Sequence, residues 1–184
     1  MAIEIIREKW TNKVNELTLG AAKENGGTRS KVVKVGGAGC LPFSFQDGDM
    51  PNRPVVAMEV WDTEPAEWPD TLKAAFGDSL KDPLLWAKRC VDDFGADLIC
   101  LALEGTNPEG KNTSADEAAQ TVKKVLKAVG VPLIITGSGD KQKDAEVLSK
   151  SSQAAKGENC LLGPATQDNY KTLTASCMAD GHAI

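Results

Sequence analysis

The chain has 184 residues, 41% of them hydrophobic, a formal net charge of −5 and an isoelectric point near 5.0. That length supports a sizeable core, and the acidic balance argues against nucleic acid and anionic membrane surfaces as partners. No apolar run approaches the roughly 18 residues of a membrane span, and the start, MAIEIIREKW, carries charges where a signal peptide has its apolar stretch, so a cytoplasmic protein is expected.

In chain order, residues 15–20 (NELTLG) and 31–36 (KVVKVG) are short alternating segments around a loop of turn formers, AAKENGGTRS. This predicts a β-hairpin within an extension over residues 1–50, placed to plug the amino-terminal end of a barrel. The cluster GGAG at 36–39 follows a strand-like run, but Pro42 discourages a helix after it. It therefore reads as a turn and not as a phosphate cradle, and no Walker loop is present.

From residue 51 a βα pattern repeats four times. Strands are predicted at 54–62 (PVVAMEVWD), 97–104 (DLICLALE), 131–137 (VPLIITG) and 159–163 (NCLLG). Short apolar runs bounded by turn residues suit strands buried on both faces of a parallel sheet. Helices are predicted at 84–94, 115–129, 144–155 and 167–178. Ser114 with Glu117 makes a capping box, and Gly130 a stop. The stretch 62–83 is expected as a long first loop. Alternating strands and helices leave a doubly wound sheet or a (β/α)8 barrel over residues 51–184.

Each strand ends in polar residues: Asp62 and Thr63, then Glu104, Thr106 and Asn107, then Ser138 and Asp140, then Thr166. In parallel α/β folds the carboxyl ends of strands are where ligands bind, so these eight are the candidate site. The plainer reading is ordinary strand-to-helix loops. Of the five cysteines no two form a C-x-x-C pair, so buried reduced thiols are expected and not an iron–sulfur cluster held by this chain. His182 is the sole histidine and lies near the end, which disfavours a zinc site or a Ser-His-Asp triad. No metal site and no catalytic residue are assigned.

The stretches LTLGAAKENGGTRS, KVGGAGCLPF, NRPVVAMEVWD, WAKRCVDDFGADLICLALEG, VKKVLKAVGVPLIITGSGDKQKDAEVL and AAKGENCLLGPATQDNYKTLTASCMADGHAI resemble the small subunit of the corrinoid iron–sulfur protein. That family is also called the delta subunit of the acetyl-CoA decarbonylase/synthase complex. The resemblance covers essentially the whole chain. It implies a (β/α)8 TIM barrel related to methyltetrahydrofolate-binding domains. It implies a heterodimer with a large subunit that carries the [4Fe–4S] cluster and a cobalamin domain. It further implies contacts with a methyltetrahydrofolate methyltransferase and with acetyl-CoA synthase/CO dehydrogenase in the Wood–Ljungdahl pathway of acetyl-CoA synthesis and carbon fixation. The small subunit would help to hold the corrinoid and dock partners without itself being the catalyst.

Family members continue through four more βα units, whereas this sequence stops at Ile184 where a fifth strand is due. A piece of a longer chain is expected over a natural half-barrel, with two open sheet edges. Inward-facing side chains such as Val56, Met58, Leu101 or Ile134 are expected to lack partners. The rival function is a pterin-binding methyltransferase barrel acting as an enzyme, for which Asp62, Asn107 and Asp140 could serve as pterin contacts. A third is a structural interaction module whose strand ends touch no ligand.

Overall fold

A computed structural model describes residues 6–44 and 46–184. The first five residues, part of the stretch read above as lacking a leader, lie outside it. Two short strands, β1 (Leu17–Leu19) and β2 (Val33–Val35), form a two-stranded sheet where the hairpin is predicted. The chain divides into two compact units, Met1–Thr18 with Lys34–Val55, and Leu19–Val33 with Val56–Ile184. In the first, Val14 N donates to the Ala38 carbonyl, Gly37 N donates to the Val14 carbonyl, and Asn52 Nδ2 donates to Glu16 and to the Gly36 carbonyl.

The second unit holds a four-stranded parallel sheet in the order β3 (Ala57–Trp61), β4 (Leu98–Ala102), β5 (Leu133–Thr136), β6 (Leu161–Gly163). All four lie inside the predicted runs. Chain neighbours are sheet neighbours throughout, so among these strands the order never reverses as it does in a doubly wound sheet. The register aligns Glu59, Cys100, Ile134 and Leu161 in one row, and Val60, Leu101, Ile135 and Leu162 in the next.

Alternate strand residues face opposite sides, and only one set enters the core. Val60, Ile99, Leu101, Leu133, Ile135 and Leu162 pack with Trp86, Cys90, Val122, Val125, Val147, Leu148 and Leu173 from the helices. The helices therefore share one face. The other face presents Glu59, Cys100, Ile134 and Leu161, none of which is fully buried. This singly wound order is consistent with part of a (β/α)8 barrel, and four strands do not close one. Beyond β6, Ala183 makes a parallel bridge to Leu161, exchanging bonds with Cys160 and Leu162 at 2.9 Å, so the ladder continues in the same sense. The expected inward set is corrected in part. Ile134 lies on the open face, but Met58 and Leu101 share the parity of Val60 and pack on the helix side. Both faces of β4 are apolar, so its sequence does not distinguish them.

Helix starts follow their caps. Asp82 Oδ1 accepts the Leu84 N–H ahead of Pro83, starting α2 (Pro83–Asp92). The Ser114–Glu117 capping box starts α3 (Ala115–Ala128). Asp140 Oδ1 accepts from Gln142 and Lys143, so α4 (Lys141–Ala154) begins before the predicted residue 144. Asn169 holds a turn by accepting from Thr166 N and donating to the Pro164 carbonyl, and α5 (Tyr170–Asp180) starts only after it. The stretch predicted as one long loop contains α1 (Asp70–Phe76), followed by a 3-10 turn at Gly77–Lys81. Phe76 and Trp68 anchor it on the buried Trp86 ring, with centroids 5.8 and 5.2 Å away.

The connection between β1 and β2, residues 20–31, caps the amino-terminal ends of the sheet. Gly20 N donates to Asn159 O ahead of β6, and Ser30 and Lys31 N–H groups share Gly130 O ahead of β5. Lys31 Nζ reaches Asp97 Oδ1 at 2.6 Å, and Asp97 Oδ2 accepts Val56 N beside β3. Gly20 has a φ of +87°, and a Cβ there would sit 2.7 Å from Pro132 Cγ and 2.9 Å from Lys31 O, so only glycine fits. Arg29 is buried in this layer and uses every N–H it has within the fold. No helix among the described residues is long and apolar enough to cross a membrane.

Candidate functional site at the carboxyl ends of the strands

The eight predicted residues all fall after the strands, but the structure gives them different work. Asp62 and Thr63 leave β3 beside the turn that follows β4. Asp62 Oδ1 accepts the Gly105 N–H at 2.7 Å. A Cβ on Gly105 would lie 2.9 Å from Thr63 Cγ2 and 3.0 Å from Asp62 Oδ2, so the approach requires glycine. Glu104 is the neighbour on that turn. Asp62, Thr63 and Glu104 therefore converge on one spot.

Electrostatics set this spot apart. Burial raises the Asp62 carboxyl above its usual range, opposed by the Gly105 N–H and the Lys111 charge. Burial also raises Glu104, and the negative charges of Asp62, Glu59 and Asp144 push it further the same way. Glu59 and Asp144 are residues the sequence reading missed. Glu59 was legible as a lone charge inside an apolar strand. Asp144 was not: it sits on α4 and accepts Ser138 N and Gly139 N at 2.9 Å each, wrapping the loop after β5.

Ser138 is thus held by Asp144, to which its Oγ also donates at 3.4 Å. Asp140 caps α4. Thr106 is fully buried and donates Oγ1 to the Leu103 carbonyl. Asn107 accepts Glu109 N on Oδ1, and Asn112 N on its carbonyl, folding its own loop. Thr166 bonds Asn169 through its N–H, while its buried Oγ1 has no partner. On the open face below, Cys100 lies opposite Glu59. Burial and the Glu59 charge raise its thiol, and a hydrogen bond with Thr136 opposes them. This thiol is held in its protonated form, which is a poor nucleophile.

Among the described residues no group of His, Cys, Asp or Glu is arranged to hold a metal ion. All five cysteines are free thiols. Burial pushes Cys160 up to about 12 and Cys90 and Cys177 up to about 11. His182 accepts Cys160 N on Nδ1 and places Nε2 3.0 Å from Ser152 O. Both ring nitrogens are engaged within the fold. The strand ends thus offer carboxylates, hydroxyls and backbone groups for hydrogen bonding.

Residues 16–184 match the family model of the CO dehydrogenase/acetyl-CoA synthase delta subunit. The chain belongs to this family. Over 182 residues it is 38% identical to the acetyl-CoA decarbonylase/synthase complex subunit delta of Archaeoglobus fulgidus, covering 98% of this chain and 40% of that protein. It is 40% identical over 177 residues to subunit delta 1 of Methanosarcina thermophila, covering 96% and 40%. The delta subunit of Methanocaldococcus jannaschii is 38% identical over 178 residues, covering 96% and 43%. The chain spans about two fifths of the length of these delta-family relatives, their amino-terminal part.

Proposed function

We propose that the chain acts as the delta-type small subunit of a corrinoid iron–sulfur protein, a cytoplasmic and non-catalytic partner in corrinoid-mediated methyl transfer. In this reading its larger partner carries the cobalamin and the [4Fe–4S] cluster. The methyl group comes from methyltetrahydropterin through a separate methyltransferase and goes to acetyl-CoA synthase, in the Wood–Ljungdahl pathway. The observation that carries the reading is the family match joined to a singly wound parallel sheet whose carboxyl ends gather hydrogen-bonding groups. In such folds that end is where ligands are held.

The residues suit a supporting role toward a corrinoid. Asp62, Thr63, Glu104, Ser138 and Thr166 bring acceptors and hydroxyls of the kind that corrin amide side chains bond. Thr106, Asn107 and Asp140 support the same loops from behind. His182 is spent on the Cys160 and Ser152 backbone, so this chain supplies no imidazole to cobalt. Cobalamin, when bound by the partner, would carry the methyl group. The rival reading, a pterin-binding methyltransferase, has less support, because Asp140 is occupied in capping α4 and Asn107 in its own loop. Size exclusion of the full-length protein with the cluster-bearing subunit tests the proposal. Co-elution at micromolar concentration is expected, and separate elution would count against it. Tight binding of methyltetrahydrofolate without any partner would favour the rival.

A further inference from the structure

Three of the four tryptophans stand in a line. Trp61 meets Trp68 with ring centroids 5.6 Å apart, and Trp68 meets Trp86 at 5.2 Å, both edge to face. Core packing alone accounts for that geometry. It does not account for the two ends of the line. Trp86 is fully buried and its Nε1 has no hydrogen-bond partner, although a buried indole N–H usually finds one. Trp61, at the end of β3, donates Nε1–H to Glu59 Oε1 at 2.6 Å, and Glu59 is exposed to solvent.

Indole is among the side chains most readily oxidised by one electron, and the cation so formed has a strongly acidic N–H. At Trp86 that cation is an uncompensated charge in an apolar core, the most costly setting for it. At Trp61 the proton has somewhere to go. The free energy of the electron vacancy therefore falls from the core outward. We propose that Trp86, Trp68 and Trp61 form a one-electron relay that brings oxidation of this chain to rest at Trp61, with Glu59 as the proton acceptor. The oxidant is a free radical of the peroxyl class. It takes one electron and becomes an anion. Trp61 loses that electron and its Nε1 proton, Glu59 gains the proton on Oε1, and a neutral indolyl radical remains. The inference is independent of the docking role.

Ultraviolet laser flash photolysis tests it in the Trp10→Phe protein, where the three aligned indoles are the tryptophans left among residues 1–184 and the Tyr170 phenoxyl is told apart by its own absorption. Nitrous oxide takes up the ejected electron, and tert-butanol takes up the hydroxyl radical that this forms. The indole cation signal is expected to convert to the neutral radical, and a nitroso spin trap located by peptide mass mapping should mark Trp61. Glu59→Gln removes the base and should slow the conversion roughly 100-fold or more. Trp68→Phe interrupts the line and should leave a fraction of the cation, from Trp86, that does not convert. Conversion unchanged in Glu59→Gln, or trap adducts spread over Trp68 and Trp86 in the Trp10→Phe parent, would overturn the proposal. Glu59 is exposed, so its variant keeps the test decisive even if Trp68→Phe folds poorly.

Discussion

Replacing Arg29 by Met keeps the aliphatic stem and removes the guanidinium from the layer beneath the sheet. Only 2% of the Arg29 side chain is exposed, and only 12% of its partner Glu158. Nε donates to Glu158 Oε2 at 2.8 Å, Nη1 to the Val129 and Val131 carbonyls, and Nη2 to the Leu126 carbonyl and Thr28 Oγ1. The variant orphans three carbonyls and leaves a nearly buried carboxylate without its cation. Removing one partner of a buried pair costs about 3–5 kcal/mol. Glu158 keeps two bonds from Thr28, at 3.1 and 2.9 Å, so the lower part of that range, about 3–4 kcal/mol, applies. With a urea slope of about 2 kcal/mol per molar, the unfolding midpoint should fall by about 1.5–2 M. Adding Glu158→Gln should restore part of the loss, because much of it is the stranded charge. A drop below about 1 kcal/mol, the range of solvent-exposed ion pairs, would refute the reasoning.

Two further outcomes follow from the carboxyl-end loops. Gly105→Ala forces a Cβ against Thr63 Cγ2 and Asp62 Oδ2 and should cost about 1–3 kcal/mol in chemical denaturation; Thr63→Ser, which lacks the clashing methyl, should recover part of it, and no recovery would mean that the clash lies elsewhere. Glu104 has its folded-state pKa raised above the ordinary 4.5. The folded state thus binds that proton more tightly than the unfolded state, and the group's contribution to stability falls as pH rises above 4.5. Glu104→Gln should therefore stabilise the protein at pH 7 and lose that advantage at more acid pH, measured as the difference in unfolding free energy between the two proteins. An advantage of equal size at both would show that charge is not its cause.

The repeating unit was legible because each strand is a short apolar run closed by turn residues, and because Ser114 and Glu117 mark a helix start unaided. The hidden features are those that depend on distant partners. Helix α1 becomes helical where Phe76 finds Trp86, and its own residues, starting at Pro69-Asp70, read as loop. Arg29 lies among turn formers whose composition signals solvent, yet the Leu126, Val129 and Val131 carbonyls bury it. Which face of β4 meets the helices was unreadable, because Ile99, Cys100 and Leu101 are all apolar. At the site, polar residues after strands were easy to find, but polarity does not reveal occupation. Asp140 serves as a helix cap and Thr106 as a buried brace, while Asp62, Thr63 and Glu104 gather because Gly105 lets two loops touch. Asp144 escaped notice because its bond to Ser138 and Gly139 reaches backward from a helix to a loop.

The layer beneath the sheet also orders events during synthesis. Strands β3 to β6 each pair with the strand just made, so the sheet can grow one unit at a time as the chain leaves the ribosome, each pairing waiting for its crossover helix. Residues 20–31 emerge before these strands, but their partners come later. Arg29 and Glu158 are 129 positions apart, and Gly20 waits for Asn159. This segment is therefore made before the four strands and fastened only when the fourth of them arrives. Until then the nascent sheet has an unlatched floor, and closing it ties a segment made before the sheet to the fourth strand.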